Sequence, residues 1–431
     1  MDLIRLDKLK SHGIEKKPFD HGFVYRFPES KDMPALIQEG LKQAIASWNG
    51  KEAAFYFHLP FCSKQCAFCH YYKEGIPAKG LVEKYLLALK EEIKHYRGLM
   101  QNTVKVQSVF FGGGTPTILS AEQLNGLLDF FRSEFPFSSD TEVSIESSPE
   151  TVTVEKLTAL KEGGFNRLSI GVQDFDNAVL EKCGRPHSVE QAKKAVAIAR
   201  EAGFDNVNID LIYGLPGQSV SGWEKTLDSA EQVGVESITA SDLRVQQNTE
   251  FFSMKKESFP KVEEMRAMYY GFVERFSKLG FVQQFPYQFV KKGKEMQFLE
   301  NQWNSGEFIG FGASSCSFVG NWDYNNVVGR EDYTQAIEEY GIGARTGKGL
   351  GLDERMKRFV ALGLKKSGIN RSGGGIDKSK FRKMFGIELE DKFGNIIEKL
   401  EGAGLLEINE KEVLLSYNGL FFHDEIGRMF F

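Results

Sequence analysis

From residue 53 to about 245, short apolar runs alternate with longer stretches whose apolar positions recur at helical spacing. Ala53–His58, Val104–Phe111, Thr141–Glu146, Arg167–Val172, Val207–Tyr213 and Ser237–Leu243 read as strands. Between them Leu81–Tyr96, Ala121–Phe131, Val154–Glu162, Val189–Ala202 and Trp223–Val233 read as helices. Units of strand then helix, repeated in series, predict an α/β fold with parallel strands, helices outside and a site at the strands' C-terminal ends. The count predicts a partial parallel (β/α)6 barrel over residues 51–245.

The flanks are less regular. Residues 1–50 read as an extension packing on the barrel, with the stretch from His21 to Pro28 and an amphipathic helix near 33–48. Across 246–350 the pattern loosens. Val262–Leu279 reads as a long helix, Phe281–Phe289 as a strand, Phe308–Ser317 as a small-residue turn and Gly347–Leu352 as a linker. Residues 351–431 read as three helices, a strand pair at Leu405–Ile408 and Val413–Leu415, and a closing helix: a small winged-helix-like α+β domain.

Composition narrows the class. A hydrophobic fraction of 41% and a charged fraction of 26% over 431 residues suit a soluble globular chain. The net charge of −5 gives no electrostatic case for nucleic acid, and Lys378–Lys383 adds too few cations to make the tail a DNA reader. The first residues lack the apolar core of a signal peptide, and no apolar run approaches the ~18 residues of a membrane span. Five cysteines, three of them clustered, point to a reducing cytoplasm.

The cluster is Cys62-x3-Cys66-x2-Cys69, directly after the first strand. Three thiolates on one loop suit an iron–sulfur cube with one iron left open, whereas a structural zinc wants a fourth ligand that the spacing does not supply. Three ordinary buried cysteines are the plain alternative. Further signals sit at later strand ends. Gly112-Gly113-Gly114-Thr115-Pro116 ends the second strand, where glycine lets backbone N–H groups approach a ligand. Glu146 ends the third strand, Gln173 the fourth, Arg185 lies in the next loop, and Asp210 is on the fifth strand. A carboxylate meets an amine, and a guanidinium clamps a carboxylate.

Together with Tyr56, His58-Leu59-Pro60 and the run Gly214-Leu215-Pro216-Gly217-Gln218, these motifs resemble the radical SAM superfamily, and more narrowly the oxygen-independent coproporphyrinogen III oxidase (HemN-like) family. The resemblance spans roughly residues 50–320, and the tail is also typical. It implies a radical SAM barrel in which Cys62, Cys66 and Cys69 hold a [4Fe-4S] cluster. The open iron would chelate S-adenosylmethionine, whose reductive cleavage yields a 5′-deoxyadenosyl radical. Tyr56, Phe68, Gly112, Gly113, Gly114, Thr115, Glu146, Gln173, Arg185 and Asp210 would line that site. Glu146 would take the ammonium, Arg185 the carboxylate, and Gln173 and Asp210 the ribose. A second S-adenosylmethionine would lie near Ser241 and Cys316, with Cys316 also a catalytic candidate. A flavodoxin or ferredoxin would donate electrons.

Two departures steer the substrate reading. Where the porphyrinogen-oxidising branch has a further cysteine, this chain has Tyr71; where the haem-chaperone branch has a His-Asn pair, it has Phe298-Leu299-Glu300-Asn301-Gln302-Trp303. These point to the class C methyltransferase branch, with methylation of an sp2 ring carbon and menaquinone C8 as one acceptor. Such a lipid substrate would need at most peripheral membrane contact, and the 36 phenylalanines offer either an apolar pocket or simply core. Coproporphyrinogen oxidation, radical haem degradation and haem carriage by a non-enzymatic chaperone are the alternatives.

Overall fold

The computed structural model describes residues 3–17, 19, 28, 32–50, 52–371 and 373–431. The His21–Phe27 stretch lies outside the described residues. Six strands follow the sequence pattern: β1 (Glu52–Leu59), β2 (Lys105–Gly113), β3 (Glu142–Ser147), β4 (Arg167–Gln173), β5 (Val207–Tyr213) and β6 (Ser237–Asp242). They pair in that order, all parallel. Three of the intervening helices begin at a capping serine. Ser120 and Ser188 each accept from the backbone N–H three residues on, and Gln123 and Gln191 reach back to complete capping boxes.

The sheet is larger than six strands. It continues with β7 (Val282–Phe285), β8 (Gln288–Val290), β9 (Phe308–Phe311), β10 (Cys316–Val319), β11 (Trp322–Asn326) and β12 (Ala344–Gly349). The order across it is β12-β11-β10-β9-β1-β2-β3-β4-β5-β6-β8-β7. β9 runs parallel to β1 and makes a seventh parallel strand, while β8 and β10 add antiparallel extensions at either end. Three expectations change here. Phe308–Ser317 is not a turn but two strands joined through Gly312–Ser315. Phe281–Phe289 is a tight antiparallel hairpin, not one strand. Gly347–Gly349 is strand rather than linker. The cause is common to all three: these strands are only three to six residues long and hold their place by pairing rather than by intrinsic preference.

Strand alternation sorts the aromatic residues onto two faces. Phe55, Phe57, Phe111 and Phe311 point to the helices, with Phe57 4.6 Å from Phe111 and 5.2 Å from Phe311 between ring centroids. Each is wholly buried, worth about 2–3 kcal/mol apiece. Most phenylalanine is therefore core. Tyr56 and Phe110 have the opposite parity and join a separate small cluster with Phe298, Phe308 and Phe318.

The tail carries helices Leu352–Gly363, Lys378–Phe385 and Leu389–Gly402, and a three-stranded sheet with Glu412–Leu415 between Ile376–Asp377 and Leu406–Ile408. Helix Gln38–Ser47 matches the amphipathic helix expected near 33–48. No helix among the described residues is long and apolar enough to cross a membrane.

Candidate functional site

The cysteine loop leaves β1 at Pro60. Phe61–Cys62 pairs in parallel with Glu74–Gly75, and Cys69 N–H donates to Cys66 O at 3.1 Å, so both flanks of the loop are tied. Its middle is pinned to distant chain: Ala67 N–H donates to Cys183 O, and Phe251 N–H to Ala67 O. Phe68 packs half-buried beside Phe251 in the apolar cluster that also holds Cys183 and Leu215. Among the described residues no three His, Cys, Asp or Glu side chains come together as a single-ion site; an iron–sulfur cube is wider, its three thiolates each going to a different iron with the fourth iron left open.

The glycine turn packs against this loop. Gly114 N–H donates to Leu59 O at 2.9 Å and Thr115 N–H to Phe61 O at 2.8 Å. A Cβ on Gly114 would stand 2.6 Å from Phe61 O, so only glycine fits. Gly113 has φ +113°, and its missing Cβ leaves room for the His58 ring. Thr115 Oγ1 lies 3.8 Å from Cys62 Sγ. Tyr56 Oη bonds His58 Nδ1 at 3.0 Å, and burial holds that imidazole neutral, its pKa lowered to about 4.

Glu146 accepts from Gly113 N–H at 3.1 Å. Burial and then the Asp210 carboxylate push its pKa up to about 8. Asp210 is itself engaged: Ser169 Oγ donates to it at 2.7 Å and Asn208 Nδ2 at 2.8 Å. Gln173 takes φ +71° where a register shift between Gly171 and Gln173 interrupts the β4–β5 ladder.

Arg185 reaches furthest. Nη1 donates to Cys66 Sγ at 3.0 Å, and Nη2 to Gly171 O at 2.6 Å and Ser148 Oγ at 2.8 Å. Its buried Nε has no hydrogen-bond partner among the described residues. Burial pushes the Cys62 thiol up to about 11 and raises that of Cys69. Iron binding would therefore release protons from this loop. Three thiols on a pinned loop, a guanidinium against one sulfur with an orphaned Nε, and a glycine cradle beside them fit a cluster carrying an anionic ligand.

The structure thus brings Gly114 and Thr115 against the cysteine loop and Arg185 onto it, and sets Tyr56 beside His58 and Glu146 beside Gly112 and Gly113. It does not join Ser241 to Cys316 through adjacent strands: six strands separate β6 from β10. Cys316 instead packs half-buried beside Tyr56 and Phe298. Sequence reasoning missed Arg167, Ser169 and Asn208 inside the barrel. They share strand parity with Gly171 and Asp210, a period-2 signal that was there to find. Ser148, Glu150 and His187 carried no such signal.

A model of the Radical SAM superfamily matches residues 56–230, and one of the HemN C-terminal domain matches residues 350–422. The heme chaperone HemW of Bacillus subtilis (strain 168) is 32% identical over 381 residues, covering 86% of this chain and 97% of that protein. The chain belongs to the HemW/HemN family of radical SAM proteins. The oxygen-independent coproporphyrinogen III oxidase of Escherichia coli (strain K12) is 27% identical over 406 residues, covering 89% of this chain and 86% of that protein. The solved structure of coproporphyrinogen III oxidase (HemN) from Escherichia coli superposes with a TM-score of 0.83 at 24% identity, covering 96% of this chain and 99% of that one. The fold is that of this family: a mostly parallel radical SAM sheet with a small C-terminal domain.

Proposed function

We propose that the chain is a radical SAM enzyme of tetrapyrrole chemistry, acting on a porphyrin, porphyrinogen or haem. The observation that carries the reading is the Arg185–Cys66 contact together with the Gly113–Glu146 pair: a guanidinium against one sulfur of the loop, and a buried carboxyl that an arriving ammonium would ionise, held at the glycine turn that packs on the loop. When bound, a [4Fe-4S] cluster supplies the electron that splits the sulfonium of S-adenosylmethionine. The chain's own residues do the rest. Arg185 offers its orphaned Nε to the amino-acid carboxylate, Glu146 accepts the ammonium, and Tyr56 with Phe110 walls the apolar side. The tetrapyrrole class comes from the relatives, a heme chaperone and a coproporphyrinogen III oxidase, matched along most of their lengths.

A second reading, methyl transfer from a second S-adenosylmethionine to an sp2 ring carbon, draws on Tyr71 and on the stretch 298–303. That stretch holds no histidine, and Asn301 is spent inside the fold on Glu307 O at 2.8 Å. Neither relative is named for a quinone, so menaquinone loses its place as the leading acceptor. The test is anaerobic turnover with methyl-deuterated S-adenosylmethionine, offered coproporphyrinogen III and haem in separate reactions. The enzyme reading expects 5′-deoxyadenosine with either acceptor altered. Carbon dioxide marks decarboxylation, and deuterium in the product with S-adenosylhomocysteine marks methyl transfer. Stable haem binding with no 5′-deoxyadenosine would overturn the enzyme reading in favour of a carrier.

A further inference from the structure

Glu150 sits outside every motif that the family resemblance invokes, in the one-turn 3-10 helix Pro149–Thr151 after β3. Its carboxylate nevertheless touches two distant segments as well as the cap of its own helix. Ser63 Oγ, from the cysteine loop, donates to Oε1 at 3.3 Å. Ser148 Oγ donates to Oε2 at 2.5 Å. His187 Nδ1, on a wholly buried ring, lies 3.7 Å from Oε2, while its Nε2 meets Val172 O at 3.2 Å. Ser148 Oγ in turn accepts from Arg185 Nη2 at 2.8 Å, and Arg185 Nη1 donates to Cys66 Sγ at 3.0 Å. A continuous line therefore runs from the loop through Glu150, Ser148 and Arg185 back to a sulfur of the same loop.

We propose that Glu150 is a positioning residue: through Ser148 it sets the guanidinium of Arg185 against Cys66 Sγ, and through Ser63 it holds the cysteine loop in register with that guanidinium. The chemistry is specific. A serine hydroxyl has one proton. Ser148 gives it to Glu150, which leaves its oxygen lone pairs to accept from Arg185. Without the carboxylate, Ser148 loses the acceptor that fixes its hydroxyl, and its hold on the guanidinium loosens. Hydrogen bonds to cluster sulfurs set reduction potential, and partners one shell out orient the groups that make them. A cation held against a ligating thiolate favours the more negative, reduced cluster, so loosening it lowers the potential.

This inference rests on the reading that the three cysteines hold a cluster, and the experiment separates the two. The wild-type chain, Glu150→Ala, Glu150→Gln, Ser148→Ala and the double alanine variant are reconstituted anaerobically with iron and sulfide. Iron and sulfide are counted, and the midpoint potential is titrated with electron paramagnetic resonance of the reduced state. Failure of the wild-type chain to take up iron would sink the cluster reading and this one with it. With clusters loaded, Ser148→Ala is expected to shift the potential downward, and Glu150→Ala to shift it downward relative to Glu150→Gln, which loses the same charge but keeps an acceptor for Ser148. The double variant should shift no further than Glu150→Ala, because the two act in one line. Binding of S-adenosylmethionine should weaken about tenfold in each alanine variant, with Glu150→Gln between them and wild type because one amide oxygen still accepts from Ser148. An unchanged potential in Ser148→Ala, equal potentials in Glu150→Ala and Glu150→Gln, or shifts that add in the double variant, would overturn the proposal. If Glu150→Ala does not fold, Ser148→Ala alone decides: it changes two hydrogen bonds and no charge, and an unchanged potential there refutes the line.

Discussion

At the scale of single residues, two glutamates, one half-buried and one wholly buried, do opposite things. Glu150 is held at a pKa of about 2: burial raises it, but the His187 and Ser148 contacts outweigh that. Glu92 is wholly buried and is pushed up to about 7 by burial, against the pull of four donors. Those are Gly312 N–H and Tyr333 Oη on one oxygen, and Asn326 Nδ2 and Gly343 N–H on the other. The sign follows from linkage. Because the folded pKa exceeds the unfolded value of 4.5, Glu92 favours folding most when protonated. Its contribution declines as pH rises through about 7. Denaturation midpoints measured between about pH 5 and about pH 8 should fall in wild type. Glu92→Gln should lose that slope while being destabilised throughout by about 1–3 kcal/mol, since its amide N–H₂ faces donors. An identical slope in the variant would remove Glu92 from the account.

At the scale of elements, the contact between the β2 turn and the cysteine loop is built on absent side chains. Gly114→Ala would drive a methyl to 2.6 Å from Phe61 O and 2.8 Å from Phe61 N, both backbone atoms that cannot yield without moving the loop. Reconstituted iron content should fall in Gly114→Ala. Gly126→Ala, on an open helix position with nothing within 4 Å, should retain full iron and gain about 0.4–1 kcal/mol of stability. The β9–β10 turn is fixed in the same spirit. Tyr85 Oη donates to His58 O at 2.8 Å and accepts from Ala313 N–H at 2.9 Å, so one phenol couples that turn to the end of β1.

At the scale of the whole molecule, a buried ionic network fastens the N-terminal segment, β6 and the C-terminal tail to one another. Asp242 lies 2.9 Å from Lys16 Nζ and 2.6 Å from Arg244 Nε. Arg244 Nη1 reaches Glu425 at 2.9 Å, and Lys365 Nζ reaches Asp424 at 2.5 Å. Lys16, Arg244 and Lys365 balance Asp242, Asp424 and Glu425, so the cluster is neutral although nearly dry. Removing one member leaves an uncompensated buried charge. Arg244→Met should cost about 3–5 kcal/mol. Hydrogen exchange should report the loss first in 416–428, where the tail meets the barrel. Uniform loosening of the barrel strands instead would mean that the network belongs to the barrel alone.

What the sequence determined by itself is whatever covalent spacing and periodicity carry. Cys62, Cys66 and Cys69 are close because seven residues of loop cannot separate them far. The six strands from β1 to β6 are legible because burial on both faces demands apolar runs between helical stretches. Family likeness then attached Glu146, Gln173, Arg185 and Asp210 to strand ends. Tertiary structure decided the rest. Arg185 meets Cys66 across 119 residues of sequence, and Ser63 meets Glu150 across 87; nothing local in either partner encodes the other. β9 joins β1 because Gly310 and Gly312 leave room for Ser315 and for Tyr85, a fit that exists only once three segments have docked. A side chain's chemistry is local, but the company it keeps is set by packing, and that is where the support beneath the cysteine loop arises.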